Sequence, residues 1–158
     1  MNAMTTGNRA NADPRPIFPA LGRHYQFTSD LAYLIVRVTA GLMLIPHGWP
    51  KVMAGASAVA ANALSRRGIE PALPLAYLIM FLETIGGIMI AIGLFTRPIA
   101  LLLVIQFLVI IFVAHLPAGY GVSVGGIEFP LMWGLILLAI LLRGGGPWSL
   151  DRKLGFEV

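Results

Sequence analysis

The chain has 158 residues, of which 58% are hydrophobic and only 11% are charged. A soluble domain carries about 25% charged residues, and a soluble core of this size could not bury so much apolar surface. The formal net charge of +4 is spread between apolar blocks, which does not indicate nucleic acid as a partner. Cysteine is absent from the sequence, which excludes disulfides and thiolate-held iron–sulfur clusters. The composition predicts an integral membrane protein that lies in the lipid bilayer.

Residues 1–29 form the first piece of the chain, and prolines interrupt them at positions 14, 16 and 19. These residues are polar and Arg-containing, and they lack a sustained helical period. The pattern is typical of a flexible N-terminal tail that has no apolar surface to bury.

Four long apolar segments follow, at about residues 31–53, 73–95, 98–116 and 127–142. A helix needs about 20 residues to cross the hydrocarbon core, so the first two are long enough and the third is slightly short. The fourth reaches that length only if residues 122–126 contribute. Continuous apolar runs favour helices over strands in a membrane. The prediction is an all-α fold, a transmembrane four-helix bundle over residues 30–151, with a disordered N-terminal tail and a short tail at residues 152–158.

Two loops carry further information about topology. The connection around Arg97 is very short, so the second and third segments should form an antiparallel hairpin. Most of the basic residues near segment ends collect on one side of the predicted bundle, at positions 9, 15, 23, 97, 143, 152 and 153. Because cytoplasmic loops carry the excess of Lys and Arg, both termini and both tails are predicted to be cytoplasmic.

Three polar side chains fall well inside the apolar segments, namely Arg37, Glu83 and Gln106. A charged side chain at the centre of a membrane helix costs roughly 2.5–3.5 kcal/mol on insertion scales. They are therefore predicted to form a buried polar layer. One interpretation is an ion pair that specifies packing, most simply between Arg37 and Glu83. The other is that Glu83 carries protons or binds a ligand. In the same helix, Gly86 and Gly87 would let another helix approach closely.

A second polar set lies toward the predicted outer ends of the segments and consists of His47, Lys51, His115 and Glu128. One interpretation is that Lys51 extends to the interface and the histidines lie in its wet region. The alternative is a polar ligand site formed by three helices. The two histidines and Glu128 have the donor types of a metal site, but each comes from a different segment, so no metal is predicted.

The ordered set of these residues resembles the DoxX family of small bacterial membrane proteins. The resemblance covers about residues 31–151, and it rests on Arg37, His47-Gly48 with Lys51, Glu83 with Gly86-Gly87, Gly93 before Arg97, Glu128, and the closing Ser149, Leu150 and Asp151. Gly145 departs from the pattern, because the family's glycine–proline–glycine turn has proline there. The resemblance implies a four-helix bundle in the bacterial inner (plasma) membrane.

The same resemblance implies a function linked to redox chemistry. Members resemble the membrane subunit of a thiosulfate:quinone oxidoreductase, and others are linked to oxidative-stress assemblies. The chain would then be a non-autonomous membrane subunit that uses a quinone and needs a soluble or membrane oxidoreductase subunit as its partner. One alternative is a non-enzymatic scaffold that recruits a soluble enzyme. A second alternative is a small-solute transporter that works as a homo-oligomer. No catalytic residue is carried over from the family.

Overall fold

The computed structural model describes residue 18 and residues 21–156, and all regular structure in that part of the chain is helical. The α-helices are α1 (Gly22–Ala54), α2 (Ala56–Val59), α3 (Ala72–Phe81), α4 (Gly87–Ile92), α5 (Thr96–Val109), α6 (Glu128–Arg143) and α7 (Leu150–Leu154). Three π-helical segments in that part of the chain interrupt these helices: Ala60–Leu64 follows α2, Leu82–Gly86 joins α3 to α4, and Ile110–His115 continues α5. The all-α prediction is confirmed.

Three helices are long and apolar enough to cross a membrane, and they cover His24–Ala54, Ala72–Ile92 and Thr96–Ala118. The fourth helix, α6, has 16 residues, which is fewer than the roughly 20 that a straight crossing needs. Residues 122–126 do not extend it, because Val122–Val124 form a separate 3₁₀ turn and Gly125 follows with φ +75°. α6 instead packs along α5 and touches α1, as the fourth helix of the bundle.

The first helix begins earlier than the apolar pattern indicates. α1 starts at Gly22, so the predicted flexible tail is wrong for residues 22–29. Within this first stretch the Thr28 hydroxyl donates to the carbonyls of His24 and Tyr25, which keeps a polar side chain compatible with helix. The predicted flexibility of residues 1–17, 19 and 20 falls outside the described residues.

The two central helices form the expected tight hairpin, and the C-terminal segment closes over it. The turn after α4 uses left-handed backbone at Gly93 (φ +72°) and at Phe95 (φ +47°). The Asp151 carboxylate accepts hydrogen bonds from Phe95 N at 2.7 Å, Thr96 N at 2.9 Å and Thr96 Oγ1 at 2.8 Å. In return, Asp151 N donates to Gly93 O at 2.9 Å. We call this part of the bundle, residues 93–97 with α7, the hairpin end.

Close helix contacts depend on small residues in α1 and α4. A Cβ added at Gly87 would lie 2.7 Å from the carbonyl oxygen of Gly41, which is closer than real Cβ atoms come. Gly86 faces Ile99 instead, and a Cβ there would meet it at 3.4 Å, an ordinary contact. Gly87 therefore lies where α1 and α4 approach most closely, whereas Gly86 borders α5.

Candidate functional site

Arg37 lies at the hairpin end and does not form the predicted ion pair with Glu83. Its side chain is 1% exposed, and its Nη2 donates to the Trp148 carbonyl at 3.1 Å. A Cβ at Gly93 would collide with its guanidinium group, so Arg37 lies level with the turn after α4. Gly93 is ten residues beyond Glu83, which is about 15 Å along a helix at about 1.5 Å per residue. The two charges are at different depths, and this is why they do not meet.

Glu83 is paired by Lys51 and Gln106 instead. The Glu83 side chain is almost fully buried, and its Oε2 forms an ion pair with Lys51 Nζ. Its Oε1 accepts a hydrogen bond from Gln106 Nε2 at 2.6 Å. Lys51 Nζ also donates to the His47 carbonyl at 3.2 Å. We call Lys51, Glu83 and Gln106 the central triad, and it contains two of the three predicted mid-depth residues.

Gly48 lets α1 approach Glu83 closely enough for the central triad to form, a role that was not predicted from the sequence. A Cβ at Gly48 would lie 2.8 Å from both the Cβ and the carbonyl carbon of Glu83. α1 therefore passes directly against the backbone of Glu83, one turn before Lys51 reaches its carboxylate. The signal in the sequence was the spacing of Gly48 and Lys51, which places both on nearly the same face of a helix.

Irregular helix turns occur in the two helices that carry Glu83 and Gln106. Glu83 lies within the π-helical segment Leu82–Gly86, and Thr84 Oγ1 donates to the Met80 carbonyl in the same turn. His115 is the last residue of the π-helical segment Ile110–His115. Such segments are rare and occur frequently at functional sites. Because Glu83 and His115 lie in these segments and line the same cavities, this part of the bundle is the candidate site.

The four residues predicted for the outer rim separate into two groups. His115 Nδ1 lies 2.6 Å from the Gly125 carbonyl oxygen, and Glu128 Oε2 accepts from Val122 N at 3.0 Å. These contacts hold the loop between α5 and α6. Glu128 does not join the others, since only His47, Lys51 and His115 line a common cavity. No group of three or more His, Cys, Asp and Glu side chains in the described part of the chain could hold a metal ion.

A large apolar cavity reaches the central triad from between α3 and α5. Its volume is about 370 Å³. Its polar lining consists of the triad with Arg67 and His115, and its other walls are aliphatic, including Leu78, Ile79, Leu102, Ile105 and Val109. Gln106 Oε1 is buried here and has no hydrogen-bond partner among the described residues. We call this space the apolar cavity.

A second cavity reaches the same ion pair from the other side. Its volume is about 320 Å³. Its lining includes His47, Lys51, Glu83, His115 and Trp133. Trp133 is 5% exposed, so it is not the interfacial residue that its type suggests, and its Nε1 has no partner within the described residues. We call this space the polar cavity, and Lys51, Glu83 and His115 line both spaces.

A comparison with protein-family models identifies the family of this chain. The family model described as DoxX matches residues 32–116, which covers the first long helix from Ala32 onward, the second, and the third as far as Leu116. An uncharacterized protein of Haemophilus influenzae is 30% identical over 130 residues, which is 78% of this chain and 89% of that protein. No solved structure matches the chain significantly. Because the matched region contains the central triad and more than half of the sequence, the chain belongs to the DoxX family of membrane proteins.

Proposed function

We propose that this chain is the membrane subunit of a quinone-linked oxidoreductase assembly and that the apolar cavity holds the quinone. The observation that carries the proposal is the form of that cavity. Its walls are aliphatic, and it ends at a buried carboxylate, an ammonium group and an amide oxygen without a partner. A ligand site with apolar walls and a few convergent polar groups suits a lipid-soluble molecule with a polar head.

The central triad offers the hydrogen bonds that a quinone head requires. Lys51 Nζ can donate to a carbonyl oxygen, and Gln106 Oε1 can accept from the hydroxyl of the reduced form. Glu83 can hold and release a proton, and a positioned acid or base contributes typically 10²–10⁴-fold to proton transfer. The chain has no cysteine and no nucleotide-binding glycine fingerprint, so the electrons come from a partner subunit.

Substitutions on α5 test whether the apolar cavity holds the quinone. Leu102 lines this cavity, whereas its neighbour Leu101 lines neither cavity and is 47% exposed on the lipid-facing surface. Leu102→Trp should displace bound quinone, and Leu101→Trp should retain it, because only the first indole enters the cavity. Gentle purification followed by native mass spectrometry measures bound quinone and co-purified subunits together. Equal retention of quinone by both variants would contradict the site.

The proposed assembly also has an orientation and a location. We propose that both termini face the cytoplasm of a bacterium and that the chain lies in its inner membrane, on the strength of the Lys and Arg distribution. A cysteine introduced at Ser57, in α2, should then react with an impermeant thiol reagent only from the outside. Labelling from the cytoplasmic side would reverse the orientation.

The scaffold and transporter alternatives stay predictions with their own tests. The scaffold hypothesis places the docking surface on the Arg-containing tail or around Trp148, and residues 1–17, 19 and 20 of that tail fall outside the described residues. If deletion of the tail removed the co-purified proteins but left quinone bound, the chain would act as a scaffold in addition to binding quinone. Solute flux into liposomes that depends on Glu83 would favour transport by a homo-oligomer.

A further inference from the structure

We propose that the polar cavity is the route by which protons from water reach Glu83, separate from the route by which the quinone enters. The proposal rests on the proposed function in one respect, because the quinone is the final acceptor of the proton. The two cavities are assigned different roles. The apolar cavity admits a lipid-soluble molecule, and the polar cavity admits water.

The position of the polar cavity supports a connection between Glu83 and the surface. α1 supplies Leu44, His47 and Lys51 to its lining, and α6 supplies Trp133. Its outer part is lined by residues that are exposed, including His47, Val122 and Gly125. Its inner part ends at Glu83, which is 4% exposed. The cavity thus runs from exposed side chains to a buried carboxylate.

The size and the polar groups of this cavity suit water. A water molecule occupies about 30 Å³ of liquid and needs two to four polar partners to be held in a protein. The cavity volume of about 320 Å³ exceeds that of a single molecule. Trp133 Nε1 is a buried donor without a partner in the described chain, and the imidazoles of His47 and His115 line the same space. An imidazole ring has two nitrogens that can donate or accept hydrogen bonds, so both rings are suitable partners for water in this space.

Charged and titratable side chains from three parts of the chain line the two cavities that meet at Glu83. α1 contributes Lys51 and His47, α5 with its π-helical segment contributes Gln106 and His115, and the segment before α3 contributes Arg67 at the apolar cavity. When a hydronium ion in the polar cavity gives its proton to Glu83 Oε2, it leaves as water, and the ion pair with Lys51 is released. Glu83 is then the neutral acid that faces the apolar cavity.

Single cysteines can test which cavity contains water, because the native chain has no cysteine. Leu44 and Phe107 line the polar cavity and are buried, Ile105 lines the apolar cavity, and Leu103 is fully buried outside both. A charged, membrane-impermeant thiosulfonate should modify Leu44→Cys or Phe107→Cys from one side of a proteoliposome. It should not modify Ile105→Cys, which a lipid-soluble maleimide should label, and Leu103→Cys should resist both reagents.

Infrared difference spectroscopy after a pH jump then follows the proton itself. The carboxyl band that disappears in Glu83→Gln is assigned to Glu83. Its intensity should change rapidly when the pH is changed on the side of the membrane where the polar cavity opens. Val122→Trp narrows the rim of this cavity and should remove the fast response without reducing quinone retention. Unmodified Leu44→Cys and Phe107→Cys in folded protein, or an unchanged fast response in Val122→Trp, would overturn the proposal. If the native protein retained no quinone but both measurements gave the expected results, the proposed function would be overturned and the proton route would stand. The two outcomes can be distinguished because water access and Glu83 protonation are measured without quinone.

Discussion

The hairpin end and the central triad each contain a buried carboxylate, and the two carboxylates differ in how completely their hydrogen-bonding capacity is satisfied. At the hairpin end, Asp151 accepts three hydrogen bonds from the turn before α5 and lines neither cavity. At the central triad, Glu83 has one neutral and one charged partner and borders both cavities. A carboxylate enclosed by fixed donors specifies packing. One that lies between a partly exposed ammonium group and two cavities is available for chemistry.

Arg37 is a second buried charge at the hairpin end, although its Nε and Nη1 have no hydrogen-bond partner among the described residues. It is the more deeply buried of the two charges that the sequence placed in the membrane interior, and the Trp148 carbonyl holds its Nη2. Neither cavity is lined by Arg37. A charge buried in a membrane segment is a functional-site hypothesis by default, and the surroundings of Arg37 favour a role in closing the C-terminal segment over the hairpin.

The largest loss of stability is expected for Asp151→Ala. The substitution leaves three donors on Phe95 and Thr96 without an acceptor, and each buried, unsatisfied group costs about 1–3 kcal/mol. The free energy of unfolding should fall by about 3 kcal/mol or more, which denaturant unfolding in detergent micelles measures. Asp30→Ala is the matched control, because Asp30 pairs with Arg143 at 3.6 Å in a half-exposed position and such pairs contribute about 0–1 kcal/mol. If the free energy of unfolding fell equally in the two variants, the structural role of Asp151 would be contradicted.

Gly48→Ala should have an intermediate effect at the central triad. Its Cβ would meet the Cβ and backbone of Glu83 at 2.8 Å, so α1 must move away. Overpacking of this kind costs about 1–3 kcal/mol, and the displacement should also lower quinone retention. Gly121→Ala serves as the control, because its Cβ would meet its nearest neighbours only at 3.8 Å and 3.9 Å. Thermal unfolding and quinone content of both variants give the comparison.

Glu83→Gln should affect stability least and activity most. The amide keeps the shape of the side chain, and Lys51 stays one-third exposed and solvated, so we expect a loss of about 1–2 kcal/mol. Membrane abundance should stay near that of the native chain, while quinone-dependent activity of the assembly is lost. Immunoblotting of membranes and an activity assay separate the two effects.

The same chemical change at Glu128 is the control for that experiment. Glu128→Gln alters an exposed carboxylate whose one hydrogen-bond partner in the described part of the chain is the Val122 amide, and it should change neither abundance nor activity measurably. If the membrane abundance of Glu83→Gln collapsed, Glu83 would have a packing role like that of Asp151. The two carboxylates would then not differ in function.

Much of the architecture follows from the sequence alone, because it depends on local properties. Continuous apolar runs predict helices and their number, and a short polar link at Arg97 predicts the hairpin. The predicted spans at about residues 73–95 and 98–116 agree closely with Ala72–Ile92 and Thr96–Ala118. The early start of α1 at Gly22 escaped prediction, because polar residues form helix as readily as apolar ones when the helix extends beyond the hydrocarbon.

The sequence by itself determined that the chain is an all-helical membrane protein with charges at several depths. Only the tertiary structure decided which charges meet, because pairing depends on the vertical offset of neighbouring helices and on where small residues let them approach. Gly48 brings α1 against Glu83, so Lys51 reaches the carboxylate and Arg37 does not. Asp151 reaches a turn more than fifty residues away. The two cavities exist only once α1, α3, α5 and α6 are packed, and no residue pattern along the chain records them.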